Sequence, residues 1–235
     1  MALKATFLLC AFLAFGSAAI RQPRDLADQA REELEALESI VQGRIFAAHD
    51  DLNNILTDFR TNSANVATEG TISIQQESQT VDQQLQAIKD LAHVANVDIS
   101  ACTNIREHTL NRLPDRLVRE LNVCVTGIDI QAASLVGDGR YLVDIVYNKV
   151  RNLEFQLNRC RDDLLCIAPL LTEIELDKVR LPQNVDTEVL ATSSLLTTLR
   201  LSVESCSSSH VAQYVTEAFG ILGDIQACAD RLIGN

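Results

Sequence analysis

Between residues 25 and 232, apolar side chains return every three or four positions and never alternate for more than a few residues. Leu34, Leu37, Val41, Ile45, Ala48, Leu52, Ile55 and Phe59 make one such stripe. Val81, Leu85, Ile88, Ala92 and Ala95 make a second, and Val211, Val215, Ala218, Leu222, Ile225 and Leu232 a third. This spacing gathers the apolar residues on one face of a helix, whereas a half-buried strand needs a period of two. The pattern predicts an all-α chain.

Glycine and proline set the expected breaks. A first helix is predicted over residues 25–60, with Gly43 as a weak point. Residues 61–71 read as a polar loop containing Asn62, Asn65 and Gly70, and a second helix follows over 74–96. A third segment covers 100–135, interrupted or kinked at Pro114, since proline removes an amide donor and crowds the preceding turn. Gly137-Asp138-Gly139 reads as a turn, followed by a helix over 140–165. A short helix starts at Pro169 and stops at Pro182; two more cover 185–205 and 209–232, with residues 207–209 as capping serines. Long helices with short connections predict an elongated, disulfide-stapled helical bundle. Residues 20–99 are expected to form a long N-terminal helical hairpin, and 100–235 a six-cysteine helical domain. The near-heptad spacing of the first helix fits a coiled-coil arm or an ordinary helix packed on the cysteine half.

The first residues change the compartment. Lys4, an apolar run over 5–15 and the small residues Gly16-Ser17-Ala18-Ala19 read as a signal peptide over 1–19, cleaved after Ala19. The run is too short to span a bilayer, which takes about 20 residues of helix. The chain is therefore expected to be secreted and extracellular. Its net charge of -12 argues against nucleic acid or an anionic membrane as partner, because phosphate binding needs clustered Lys and Arg.

Cys10 leaves with the leader, and Cys102, Cys124, Cys160, Cys166, Cys206 and Cys228 remain. An even number in an oxidising compartment predicts disulfides. Cys206 and Cys228 lie 22 residues apart. On one helix that is about 33 Å, at 1.5 Å per residue, against the roughly 6.8 Å that a disulfide allows between Cα atoms. Cys102 and Cys124 have the same spacing, although Pro114 leaves that interval freer to fold back. Six residues of helix would put Cys160 and Cys166 on different faces. Excluding the three local pairs leaves about 8 of the 15 connectivities. All of these tie one helix to another. The cysteines lack Cys-x-x-Cys and any His at ligand spacing, so no metal site is expected.

The search for reaction chemistry finds none. His49, His93, His108 and His210 belong to no metalloprotease motif, and no nucleophile elbow or phosphate-binding glycine loop is present. On a helix Asp50 and Asp51, which follow His49, point to different faces. Gly137-Asp138-Gly139 lacks the remaining oxygen ligands of a calcium loop. No catalytic residue, cofactor or metal ligand is expected. No Asn-x-Ser/Thr sequon occurs, and there is no Trp on which a sugar would stack.

The segment CSSSHVAQYVTEAFGILGDIQAC, from Cys206 to Cys228, carries a Tyr a third of the way along and Thr216-Glu217 just after it. With the spaced cysteines upstream, residues 100–232 resemble the TsetseEP domain, a family of secreted insect proteins of unknown function. The resemblance implies a secreted insect protein of gut, saliva or haemolymph and supplies no site residues. The Glu-Pro repeats of the family's best-known member, which is linked to midgut defence, are absent from this chain. Together these readings predict a non-enzymatic interaction protein that works with a protein partner or a second copy of itself. The alternative is an extracellular carrier holding a small hydrophobic ligand in a helical cavity.

Overall fold

Only two short connections interrupt helix between residues 23 and 233. The computed structural model describes residues 23–234 and contains α1 (Pro23–Val94), α2 (Ser100–Cys160) and α3 (Leu164–Ile233). Among the described residues there is no strand, and no helix is long and apolar enough to cross a membrane. The expected leader and its cleavage after Ala19 lie outside the described residues.

Both connections use the same local chemistry. Asn96 takes a left-handed φ of 55° just past α1, and the Val97 N–H donates to the Ala92 carbonyl at 2.9 Å. This closes the helix end in the manner of a Schellman turn. Two residues on, Asp98 caps α2: its Oδ1 accepts the Ser100 N–H at 2.9 Å and its Oδ2 the Ser100 hydroxyl at 3.0 Å. After α2, Arg161 takes a φ of 52°, and again two residues on Asp163 Oδ1 accepts the Leu165 N–H at 3.0 Å.

The buried positions recur every eleven residues. In α1 the series Leu37, Ala48, Phe59, Gly70, Val81, Ala92 and the series Ala30, Val41, Leu52, Ser63, Ile74, Leu85 are buried throughout. In α3 the series are Leu170, Leu181, Thr192, Val203, Tyr214, Ile225 and Ile174, Val185, Leu196, Ser207, Ala218, Ala229. In α2, Leu110, Leu121, Ala132 and Val143 keep the same interval. Eleven residues close three turns at about 3.67 per turn, a period that favours right-handed winding over the left-handed heptad coil. The near-heptad look of the first stripe comes from the three-and-four steps that both repeats share.

This repeat explains where the expected breaks fail. Residues 61–71 are helix, so the hairpin expected over 20–99 is instead the single helix α1. Ser63 and Gly70 fall on buried positions, where small residues admit a neighbouring helix. The Thr61, Thr68 and Thr71 hydroxyls are spent on carbonyls four residues back. Gly137-Asp138-Gly139 is also helix, with Gly139 buried against Thr192. A Cβ at Gly139 would lie 2.5 Å from the Thr192 hydroxyl, so the glycine is there for close approach and not for a turn. α2 runs through Pro114, and α3 through Pro169 and Pro182, which neither start nor end it. Packing over long helices outweighs the cost of about 3 kcal/mol per interior proline.

The described residues form two compact units, each with segments of all three helices. One unit joins residues 23–48 with 141–188, and the other joins 49–140 with 189–234. In the first, Ala30, Leu37 and Val41 of α1 pack with Val150 and Leu153 of α2 and Ile167 and Ile174 of α3. In the second, Ile74, Val81 and Leu85 meet Leu110, Leu113 and Leu117 of α2 and Tyr214, Ala218 and Ile225 of α3. Full burial of each large apolar side chain contributes about 1.5–3 kcal/mol.

Candidate functional site: the outer face of α2

All six cysteines of the described chain are paired. Cys102–Cys228 and Cys124–Cys206 join α2 to α3, with Cα atoms 5.8 and 6.5 Å apart. Both agree with the expected ties between helices. The third pair corrects an expectation: Cys160 bonds Cys166, with Cα atoms 5.4 Å apart. The expected helix over 140–165 does not exist as one piece. α2 ends at Cys160, and the chain reverses through Arg161 before α3 begins, which brings the two residues together. Asp163, a capping residue three before Cys166, is the sequence signal that marks this reversal. These bridges leave no free thiol among the described residues.

The second unit presents such a surface on α2. His108, Arg112, Arg116 and Arg119 fall at steps of four, four and three, which places them along one exposed face. They line a groove of about 680 Å³ with Asp115 and Glu217. Arg116 is committed, since its guanidinium pairs with Glu217 of α3. The Gln213 amide, 2.8 Å from Glu217 Oε1, and then Arg116 hold the Glu217 carboxyl below the usual range. Arg112 and Arg119 are exposed and have no carboxylate partner among the described residues.

The same face turns apolar one turn further on. Val118, Val123, Thr126, Gly127 and Ile130 line a groove of about 630 Å³ that shares Asp115 and Arg119 with the first. Val123 is 68% exposed and Ile130 65%. Thr126 turns its hydroxyl back to the Asn122 carbonyl at 2.7 Å, so its methyl group is what remains for the surface. Gly127 borders open space, since a Cβ there would meet nothing within 4 Å. From His108 to Ile130 the face covers 22 residues, or about 33 Å of helix.

Sequence reading missed this face because its members sit outside the stripes that build the core. The signal was present as two further positions repeating at eleven: His108, Arg119, Ile130 and Arg112, Val123. Among the described residues no group of three or more His, Cys, Asp or Glu could hold a metal ion. His49, Asp50 and Asp51 lie along α1, with Asp50 and Asp51 exposed.

Fold and site together define a class: a disulfide-bridged bundle of three long helices with an exposed basic and apolar helix face. No family model, no curated protein and no solved structure matches the chain.

Proposed function

We propose that this is a secreted, non-enzymatic interaction protein whose α2 face receives an acidic amphipathic helix of a partner protein. One observation carries the reading: two unpaired guanidiniums, Arg112 and Arg119, stand beside exposed Val123 and Ile130 on a chain of net charge -12. An apolar groove flanked by free cations suits a helix with leucines at three- and four-residue steps and carboxylates at its edge. Two such arginines on this face of so acidic a chain are too few to hold a phosphate backbone. Secretion is supported by the sequence of the first 19 residues and by three disulfides. The resemblance of the Cys206–Cys228 segment to the insect family supports a setting in gut fluid or haemolymph, with an association with defence.

The test uses the oxidised chain and a synthetic Glu- and Leu-patterned helical peptide, with a Lys-patterned peptide as control. Fluorescence anisotropy should show binding of the acidic peptide only, weakening as salt rises. Arg112→Glu with Arg119→Glu should weaken it by about tenfold or more. Equal binding of both peptides, or none of either, overturns the reading. Sedimentation of the unmodified chain as a dimer broken by the same two substitutions would instead assign the face to a second copy.

A further inference from the structure

The N-terminal part of α1 carries an exposed face that matches the α2 face in winding and in charge. Asp28, Glu32, Glu35, Ser39, Gly43 and Phe46 are all exposed and follow one another at steps of four, three, four, four and three. Arg112, Arg116, Arg119, Val123, Gly127 and Ile130 are all exposed and follow the same steps. In both faces the positions repeat after eleven residues, as they do in the core. Faces that share this period wind alike, so they stay in contact along their length when laid parallel.

One offset, 84 residues, aligns the whole of both faces. It sets Asp28 opposite Arg112, Glu32 opposite Arg116 and Glu35 opposite Arg119. Arg31 and Asp115, exposed beside the seam, make a fourth match of opposite sign. No like charges meet between residues 28–46 and their counterparts 112–130. The uncharged ends coincide as well: Gly43 meets Gly127, and Phe46, 72% exposed, meets Ile130. A Cβ at either glycine would meet nothing within 4 Å, so two helix backbones can approach closely there. The charges are available too. Glu32 and Glu35 pair with no cation among the described residues. Asp28 holds only Arg31 of its own helix, an exposed pair at 3.1 Å that is readily exchanged.

We propose that the acidic helix received by the α2 face is α1 of a second copy of this chain, running parallel with Phe46 beside Ile130. The inference rests on the reading of the α2 face given above and names its partner. The two faces lie in different compact units, so each copy carries one of each and association is head to tail. From Asp28 to Phe46 is 18 residues, or about 27 Å of helix. One helix pair of that length buries less than the roughly 800 Å² per partner of a standard interface, which makes the association weak, about 100 μM.

Sedimentation velocity of the full oxidised chain, from about 10 to about 500 μM, brackets that affinity. The sedimentation coefficient should rise with concentration. Arg112→Glu with Arg119→Glu, and separately Asp28→Arg with Glu35→Arg, should each weaken association by about tenfold or more. An equal mixture of the two variants should recover it, because the reversed α1 face of one meets the reversed α2 face of the other. Phe46→Glu, a single exposed substitution, should weaken association similarly and decides the matter where a double variant fails to fold. A chain that stays monomeric throughout overturns the proposal, and so does association that no variant weakens or that the mixture fails to recover. Binding of the acidic peptide by a chain that stays monomeric sinks this inference alone and leaves the reading of the α2 face standing. A monomeric chain that also ignores the peptide sinks both.

Discussion

Gly70 and Gly127 are both helical glycines, yet their surroundings assign them opposite roles. A Cβ at Gly70 would lie 2.4 Å from Ser207 Oγ and 2.9 Å from Leu121 Cδ2, in the layer where Ser207 donates to the Val66 carbonyl at 3.3 Å. Gly70→Val should therefore destabilise the protein by about 1–3 kcal/mol, the usual cost of overpacking. Gly127→Ala meets nothing and should stabilise it by up to about 1 kcal/mol through helix propensity. Denaturant unfolding of both variants checks the pair; equal effects would deny the close approach at Gly70. Titration adds a second residue-scale expectation. Asp98, through the Ser100 N–H and then its hydroxyl, and Glu217, through Gln213 and then Arg116, both have pKa values lowered by the fold. Each stabilises the native state above its ordinary value, 3.8 for Asp98 and 4.5 for Glu217, and loses that contribution as pH falls through the folded value. Tyr214 works at the other end: burial pushes its phenol above 10.0, so stability should fall as pH rises past that point. Thermal melts across the pH range should show both declines, and Tyr214→Phe should soften the alkaline one.

At the scale of the element, the two caps carry a direct prediction. Asp98→Ala and Asp163→Ala should each cost about 1 kcal/mol, because each leaves an N-terminal amide of a long helix without its acceptor. Urea unfolding measures it, and no change in either variant would mean water serves the amide equally well. The same two sites show how much of the fold was legible. The three-and-four spacing revealed an all-α chain, and the reach of a helix correctly forced Cys206 away from Cys228. The breaks were less legible, since Gly70, Gly139, Pro114 and Pro182 signal a turn only where no neighbouring helix rewards continuity. A glycine that makes room for Thr192 and a glycine that turns a chain are the same letter. The true connections were marked by a subtler sign, an Asp two residues after a left-handed Asn96 or Arg161. The α2 face was legible only as chemistry without a place: its arginines could be counted, but their lack of partners depends on where Glu217 and Glu107 fall.

For the molecule as a whole, the disulfides set a ranking. Cys102–Cys228 and Cys124–Cys206 close spans of 126 and 82 residues, and Cys160–Cys166 closes one of 6. Loop-closure entropy gives about 4–5 kcal/mol for each long span and about 2 for the short one. Cys228→Ser should therefore lower the melting temperature markedly, and Cys166→Ser should lower it less; the reverse order would place the constraint elsewhere. The central claim is that long helices lie side by side and are joined across α2 and α3. Disulfide mapping of the non-reduced, protease-digested protein by mass spectrometry tests it most directly. It should recover Cys102 with Cys228, Cys124 with Cys206 and Cys160 with Cys166. A peptide joining Cys206 to Cys228 would require α3 to fold back on itself and would contradict the account.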